Sequence, residues 1–114
     1  MEATNKCPWG HFEVLSDAPN HKVKRIVVEP GGILSLQRHM LRSEHWFIVS
    51  GKGKAIVADK NYDLRTGSAL DIPKNAKHRV ENSSADNLVI IEVQTGEYFG
   101  EDDIERLEDK YGRV

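Results

Sequence analysis

Four side chains in this sequence join metal-ligating chemistry to a spacing that lets them meet: Gln37, His39, Glu44 and His78. They stand in two patterned segments, Gly31-x5-Gln37-x-His39-x4-Glu44-x6-Gly51 and Gly67-x5-Pro73-x-Asn75-x2-His78-x3-Asn82, where turn residues punctuate short apolar runs. Two imidazoles, one carboxylate and one amide oxygen form a mixed nitrogen and oxygen donor set. Such a set suits Zn(II), Mn(II), Fe(II), Co(II) or Ni(II). With four protein ligands a larger ion keeps positions open for water or substrate, and one anionic ligand leaves the site net positive. A site of that kind stabilises a substrate oxygen that becomes negative during reaction. A lone histidine would be better read as an ordinary strand-end group. Four ligand-type residues framed by glycines and a proline favour a shared ion.

The two halves must be carried together by the fold. Alternation over residues 34–39 sets Ser35, Gln37 and His39 on one face and Leu34, Leu36 and Arg38 on the other. Glu44 opens the next strand, and His78 begins the one that follows Ile72-Pro73. Over residues 23–29, Val23, Arg25 and Val27 share one face, and Lys24, Ile26 and Val28 the other. Further strands are predicted at 9–15, 54–58, 62–64, 68–72, 78–81 and 88–94, separated by signals such as Pro30-Gly31-Gly32 and Gly51-Lys52-Gly53. Many short strands at this spacing predict an all-β fold, a single antiparallel jelly-roll barrel. Residues 100–111 read as a short C-terminal helix, because Glu101, Asp102 and Asp103 favour a helix start and Ile104, Leu107 and Tyr111 recur at helical spacing. The runs Trp46-Phe47-Ile48-Val49 and Leu88-Val89-Ile90-Ile91 are apolar at consecutive positions, so both faces call for cover. A homodimer is the expected cover; an internal sheet is the alternative.

A chain of 114 residues is expected to form one domain, 1–114, with one core. Its 16 basic and 18 acidic side chains nearly cancel, and no basic stripe calls for nucleic acid. No apolar run is long enough to span a membrane, and Met1 to Trp9 lacks an apolar leader core. The one cysteine, Cys7, allows no internal disulfide and reads as an inert thiol in a reducing cytoplasm.

The two patterned segments resemble the first and second motifs of the cupin superfamily. Gln37 stands where the first motif usually has histidine, and Asn75 where the second usually has glycine. Longer segments narrow the resemblance: Pro8-Trp9-Gly10, Lys22 to Gly32, Leu34 to Gln37, Arg42 to Trp46, Ile91 to Tyr98, Glu101 to Ile104 and Asp109 to Arg113. Together they look like the C-terminal cupin domain of type II phosphomannose isomerases, which in long members is fused to mannose-1-phosphate guanylyltransferase. Gln37-x-His39 also resembles the zinc-binding Gln-x-His of type I phosphomannose isomerases, which favours zinc. Three features depart from the family pattern. Met40 and Leu41 replace two of its histidines, Cys7 replaces the arginine before Pro-Trp-Gly, and nothing in these residues resembles a nucleotide-binding loop.

The resemblance implies reversible conversion of mannose 6-phosphate to fructose 6-phosphate, through a base that moves a proton between C2 and C1 and a stabilised cis-enediolate. It also implies cations that hold the phosphate. Lys24 points inward if the face it shares with Ile26 and Val28 is interior, as phosphate ligand or acid–base group; an edge lysine in solvent is the alternative. Arg42 is a candidate phosphate clamp, and Arg113 could close over the pocket with the tail. His45 suits proton transfer, although alternation turns it away from Glu44. The other readings are a non-catalytic carbohydrate-binding or regulatory cupin, and another small-molecule cupin enzyme such as a metal-dependent oxygenase or sugar epimerase.

Overall fold

The computed structural model describes residues 4–114; Met1 to Ala3, part of the stretch expected to lack a leader, lie outside the described residues. The described residues form strands and turns without a helix. In chain order the strands are β1 (Thr4–Cys7), β2 (Gly10–Ala18), β3 (His21–Val28), β4 (Leu36–Arg38), β5 (Arg42–Ser50), β6 (Lys52–Val57), β7 (Lys60–Arg65), β8 (Ala69–Ile72), β9 (His78–Glu81), β10 (Leu88–Gly96) and β11 (Glu105–Glu108). They make a six-stranded sheet, β1-β2-β3-β10-β5-β8, and a five-stranded sheet, β11-β4-β9-β6-β7. The pairings are antiparallel throughout.

The all-β expectation is met, with two corrections. The strands form two separate ladders rather than one closed barrel. The predicted helix at 100–111 is absent, and Glu105–Glu108 is instead strand β11, paired with β4. The physical reason is a competing partner. A segment this short cannot hold a helix by itself, whereas the open edge of β4 offers unpaired backbone groups. Ile104 and Arg106, two residues apart, both face the interior cavity, which is strand rather than helix periodicity.

The inner faces of β3, β5 and β10 explain where a site can form. At one end of the sandwich Ile26, Ile90 and Ile48 lie in register; one step on come Lys24, Glu92 and Trp46, then Lys22, Gln94 and Glu44. All of these side chains are buried. The apolar end packs on Leu34, Ala55, Val57, Leu64 and Val80 of the facing layer, and burial of this surface drives folding. The polar end is an interior whose charges must be paired. Lys24 therefore lies inside, on the face it shares with Ile26 and Val28.

Two backbone features hold the loops beside the polar end. Asn75 takes φ 67° in the left-handed region and donates its N–H to His39 O at 2.8 Å. At Gly96 a Cβ would collide with the Leu41 carbonyl, so glycine lets β10 run against the loop that opens β5. Asn82, buried at 1 % exposure, donates to Val28 O and Asp86 O and is a structural tie between strands. No helix among the described residues is long and apolar enough to cross a membrane.

Candidate metal centre

His39, Glu44 and His78 reach the polar end from three directions, and their ligand atoms lie within 4.8 Å of one another. His39 directly follows β4, Glu44 is the inward residue two steps into β5, and His78 opens β9. His39 Nδ1 donates to Asp103 O at 2.7 Å, and His78 Nδ1 donates to Ala76 O at 2.9 Å. Those bonds fix both tautomers and leave the Nε2 lone pairs turned to the carboxylate, 3.2 Å from Glu44 Oε2 and 3.8 Å from Glu44 Oε1. Burial, and with it the neighbouring Arg42, lowers the pKa of both rings, that of His39 to about 4. The imidazoles are therefore neutral near pH 7, the form that binds a metal.

Lone pairs and a carboxylate crowded together need a cation among them. The donor set fits a divalent ion held by His39, Glu44 and His78. Arg42, itself 5 % exposed, already places a cation against the same atoms, donating from Nε to Glu44 Oε2 at 3.1 Å and from Nη2 to His39 Nε2 at 3.2 Å. Gln37 lines the same cavity and lies opposite His78 in the β4–β9 register, so it sits beside the triad.

The other predicted residues separate cleanly. Lys24, Arg42 and Arg113 line the cavity, whose volume is about 100 Å³. Lys24 Nζ is bonded to Glu101 Oε2 at 2.6 Å and lies over the Phe12 ring, while Arg113 donates to both Asp109 carboxylate oxygens at 2.6 and 3.1 Å. His45 is not brought to the site. It lies exposed on the outer face of the six-stranded sheet, bonded to Asp71 at 2.7 Å. Cys7 also lines the cavity, and burial pushes its thiol pKa up, so it is a poor nucleophile at neutral pH.

Sequence reasoning missed Glu92, Trp46 and Arg106. The Trp46 indole N–H lies 3.1 Å from both Glu44 Oε1 and Glu92 Oε1, and Gln94 donates to Glu92 Oε2 at 2.8 Å. Burial, and then the charge of Glu44, raises Glu92 to about 7. The signal for Glu92 was present: it follows Leu88 and Ile90 at strand spacing on the buried face. Arg106 was hidden by the helix assignment.

A double antiparallel sheet with two histidines and a glutamate converging at one end defines a cupin-type protein. Residues 1–109 match the family model described as mannose-6-phosphate isomerase C-terminal, and the chain belongs to that family. The alginate biosynthesis protein AlgA of Pseudomonas aeruginosa is 46% identical over 117 residues, covering 99% of this chain and 24% of that protein. A mannose-1-phosphate guanylyltransferase of Klebsiella pneumoniae is 43% identical over 106 residues, covering 93% of this chain and 22% of that protein. The chain thus spans under a quarter of the length of these curated relatives. In fold it is similar to the capsular polysaccharide assembling protein CapF of Staphylococcus aureus, with TM-score 0.79, 23% identity, and coverage of 96% of this chain and 35% of that one.

Proposed function

We propose that this chain interconverts mannose 6-phosphate and fructose 6-phosphate with a divalent metal, zinc in the first instance, held by His39, Glu44, His78 and Gln37. The observation that carries the reading is the convergence of three ligand atoms within 4.8 Å at a cavity walled by Lys24, Arg42, Arg106 and Arg113. When bound, the ion supplies Lewis acidity that lowers the cost of negative charge on the sugar oxygens. The protein's own groups orient the ligating rings and hold the ligand's charge. Asp103 O and Ala76 O hold the two imidazoles in the ligating tautomer. The cations that line the cavity balance a dianionic ligand, and the apolar wall from Trp9, Ile26 and Leu34 limits water. Lys24, bonded to Glu101, is part of that cationic wall. We place the chain in the cytoplasm, in the supply of sugar phosphates for polysaccharide synthesis.

A second reading is a sugar-phosphate-binding module without turnover. It is favoured by Arg42, which satisfies His39 and Glu44 with no ion required. Metal analysis of the purified chain, followed by a coupled mannose 6-phosphate isomerase assay after zinc loading, separates the two. Turnover that vanishes in His78→Ala supports the isomerase. Binding of the sugar phosphate without turnover above background selects the module.

A further inference from the structure

The cavity holds four cationic side chains, and their pairing is unequal. Lys24 is bonded to Glu101 at 2.6 Å, Arg42 to Glu44 at 3.1 Å and Arg113 to Asp109 at 2.6 Å. Among the described residues that line the cavity, Arg106 is the cation with no carboxylate partner, and its Nε is buried without any hydrogen-bond partner. A guanidinium can donate only, and a buried N–H of a fixed cation left without an acceptor is costly. Two further buried donors on residues of the same cavity lack partners, Ser35 Oγ and Arg42 Nη1. Three unmet donors on residues that line one cavity favour an acceptor-rich, anionic ligand group.

Position narrows which part of the ligand that is. Arg106 pairs with Gln37, and Gln37 with His78, so the three lie in one row across β11, β4 and β9. Two strand spacings separate the backbones of Arg106 and His78 by about 10 Å. That separation suits a hexose phosphate laid with its reacting carbonyl end toward His78 and its phosphate toward β11.

We propose that Arg106 is the residue that receives the phosphate oxygens of the ligand, with Ser35 as a further donor. This rests on the sugar-phosphate reading of the site. Lys24, neutralised by Glu101, and Arg113, held by Asp109, then set the surrounding field rather than the contact.

The test measures binding by the full chain, independently of turnover. Titration with inorganic phosphate and with mannose 6-phosphate should show Arg106→Gln weakened at least about tenfold for both, the loss of one charge-assisted contact. Arg106→Lys should fall between, and Arg25→Gln on the outer face should bind as wild type. In the wild-type chain, the Arg106 Nε–H resonance should move as phosphate is added, a readout that needs no variant to fold. Equal phosphate affinity in wild type and Arg106→Gln, an unmoved Nε–H signal, or no binding of millimolar phosphate by the wild type would each overturn the proposal. Phosphate held through Arg106 without turnover would discard the isomerase and keep this assignment. Turnover with a KM unchanged by Arg106→Gln would do the reverse.

Discussion

Glu44 is the hinge of the site's electrostatics. It faces both imidazoles, accepts from Arg42 and lies 3.1 Å from the Trp46 indole nitrogen. Replacing it by Gln keeps the shape and removes the one formal negative charge among the proposed ligands. Zinc at 100 times its Kd should stabilise the wild-type chain by about 2.7 kcal/mol. Thermal unfolding with and without zinc should show that gain largely lost in Glu44→Gln, and an equal gain in the two proteins would reject Glu44 as a ligand. At Arg42, a guanidinium competing for the same lone pairs predicts that Arg42→Gln binds zinc no more weakly than wild type, while raising KM for mannose 6-phosphate. The triad was legible because ligand types and strand alternation survive in sequence: His39, Glu44 and His78 are each buried at the polar end. Arg42's bond to His39 Nε2 was not legible, because it depends on a side-chain rotamer across a loop, which no spacing encodes.

At the scale of elements, the tail after β10 carries the widest gap between sequence and structure. Its apolar spacing fits a helix as well as a strand, and only the unpaired edge of β4, a tertiary fact, decides between them. Alternation made β3 legible, with Lys24 on the inner face, and at the start of β5 it turned His45 away from Glu44, as the structure has them. The tail also anchors the loop that follows His39. Asp103 accepts from Met40 N at 3.0 Å and Leu41 N at 2.9 Å, while its carbonyl accepts from His39 Nδ1. Asp103→Ala should cost about 1–2 kcal/mol of stability, since the freed amides are near solvent and can find water. It should also weaken zinc binding by loosening the loop; unchanged zinc affinity would show that the carbonyl bond alone orients His39. Further along, hydrogen bonds from Arg113 hold the pKa of Asp109 at about 2, below its usual 3.8. A carboxylate depressed on folding adds stability that is complete above its unfolded pKa and is lost as pH falls through the folded one. Wild type should therefore exceed Asp109→Asn in stability above pH 3.8, with the difference closing as pH falls toward about 2. A pH-independent difference would assign the effect to packing instead.

Across the whole molecule, one face of the six-stranded sheet is left open while the other is filled. The inner face holds the core and the site; the outer face presents Phe47 at 45% and Val49 at 42% exposure, with Val89, Ile91 and Val93 partly covered. Phe47 and Ile91 are directly opposite in the β5–β10 register, so the apolar residues are neighbours rather than scattered. The internal sheet, the other expected cover, packs on the opposite side, against Ile48 and Ile90. Clustered apolar surface of this kind commonly marks an interaction site, and a second copy related by a two-fold axis would bury the same patch on both chains. Sedimentation equilibrium should then give about twice the mass of one chain at micromolar concentration. Phe47→Asp should shift the chain to monomer without lowering zinc uptake, because residue 47 points away from the cavity. A wild-type chain that sediments as a monomer at these concentrations would show that the face stays open in the isolated chain.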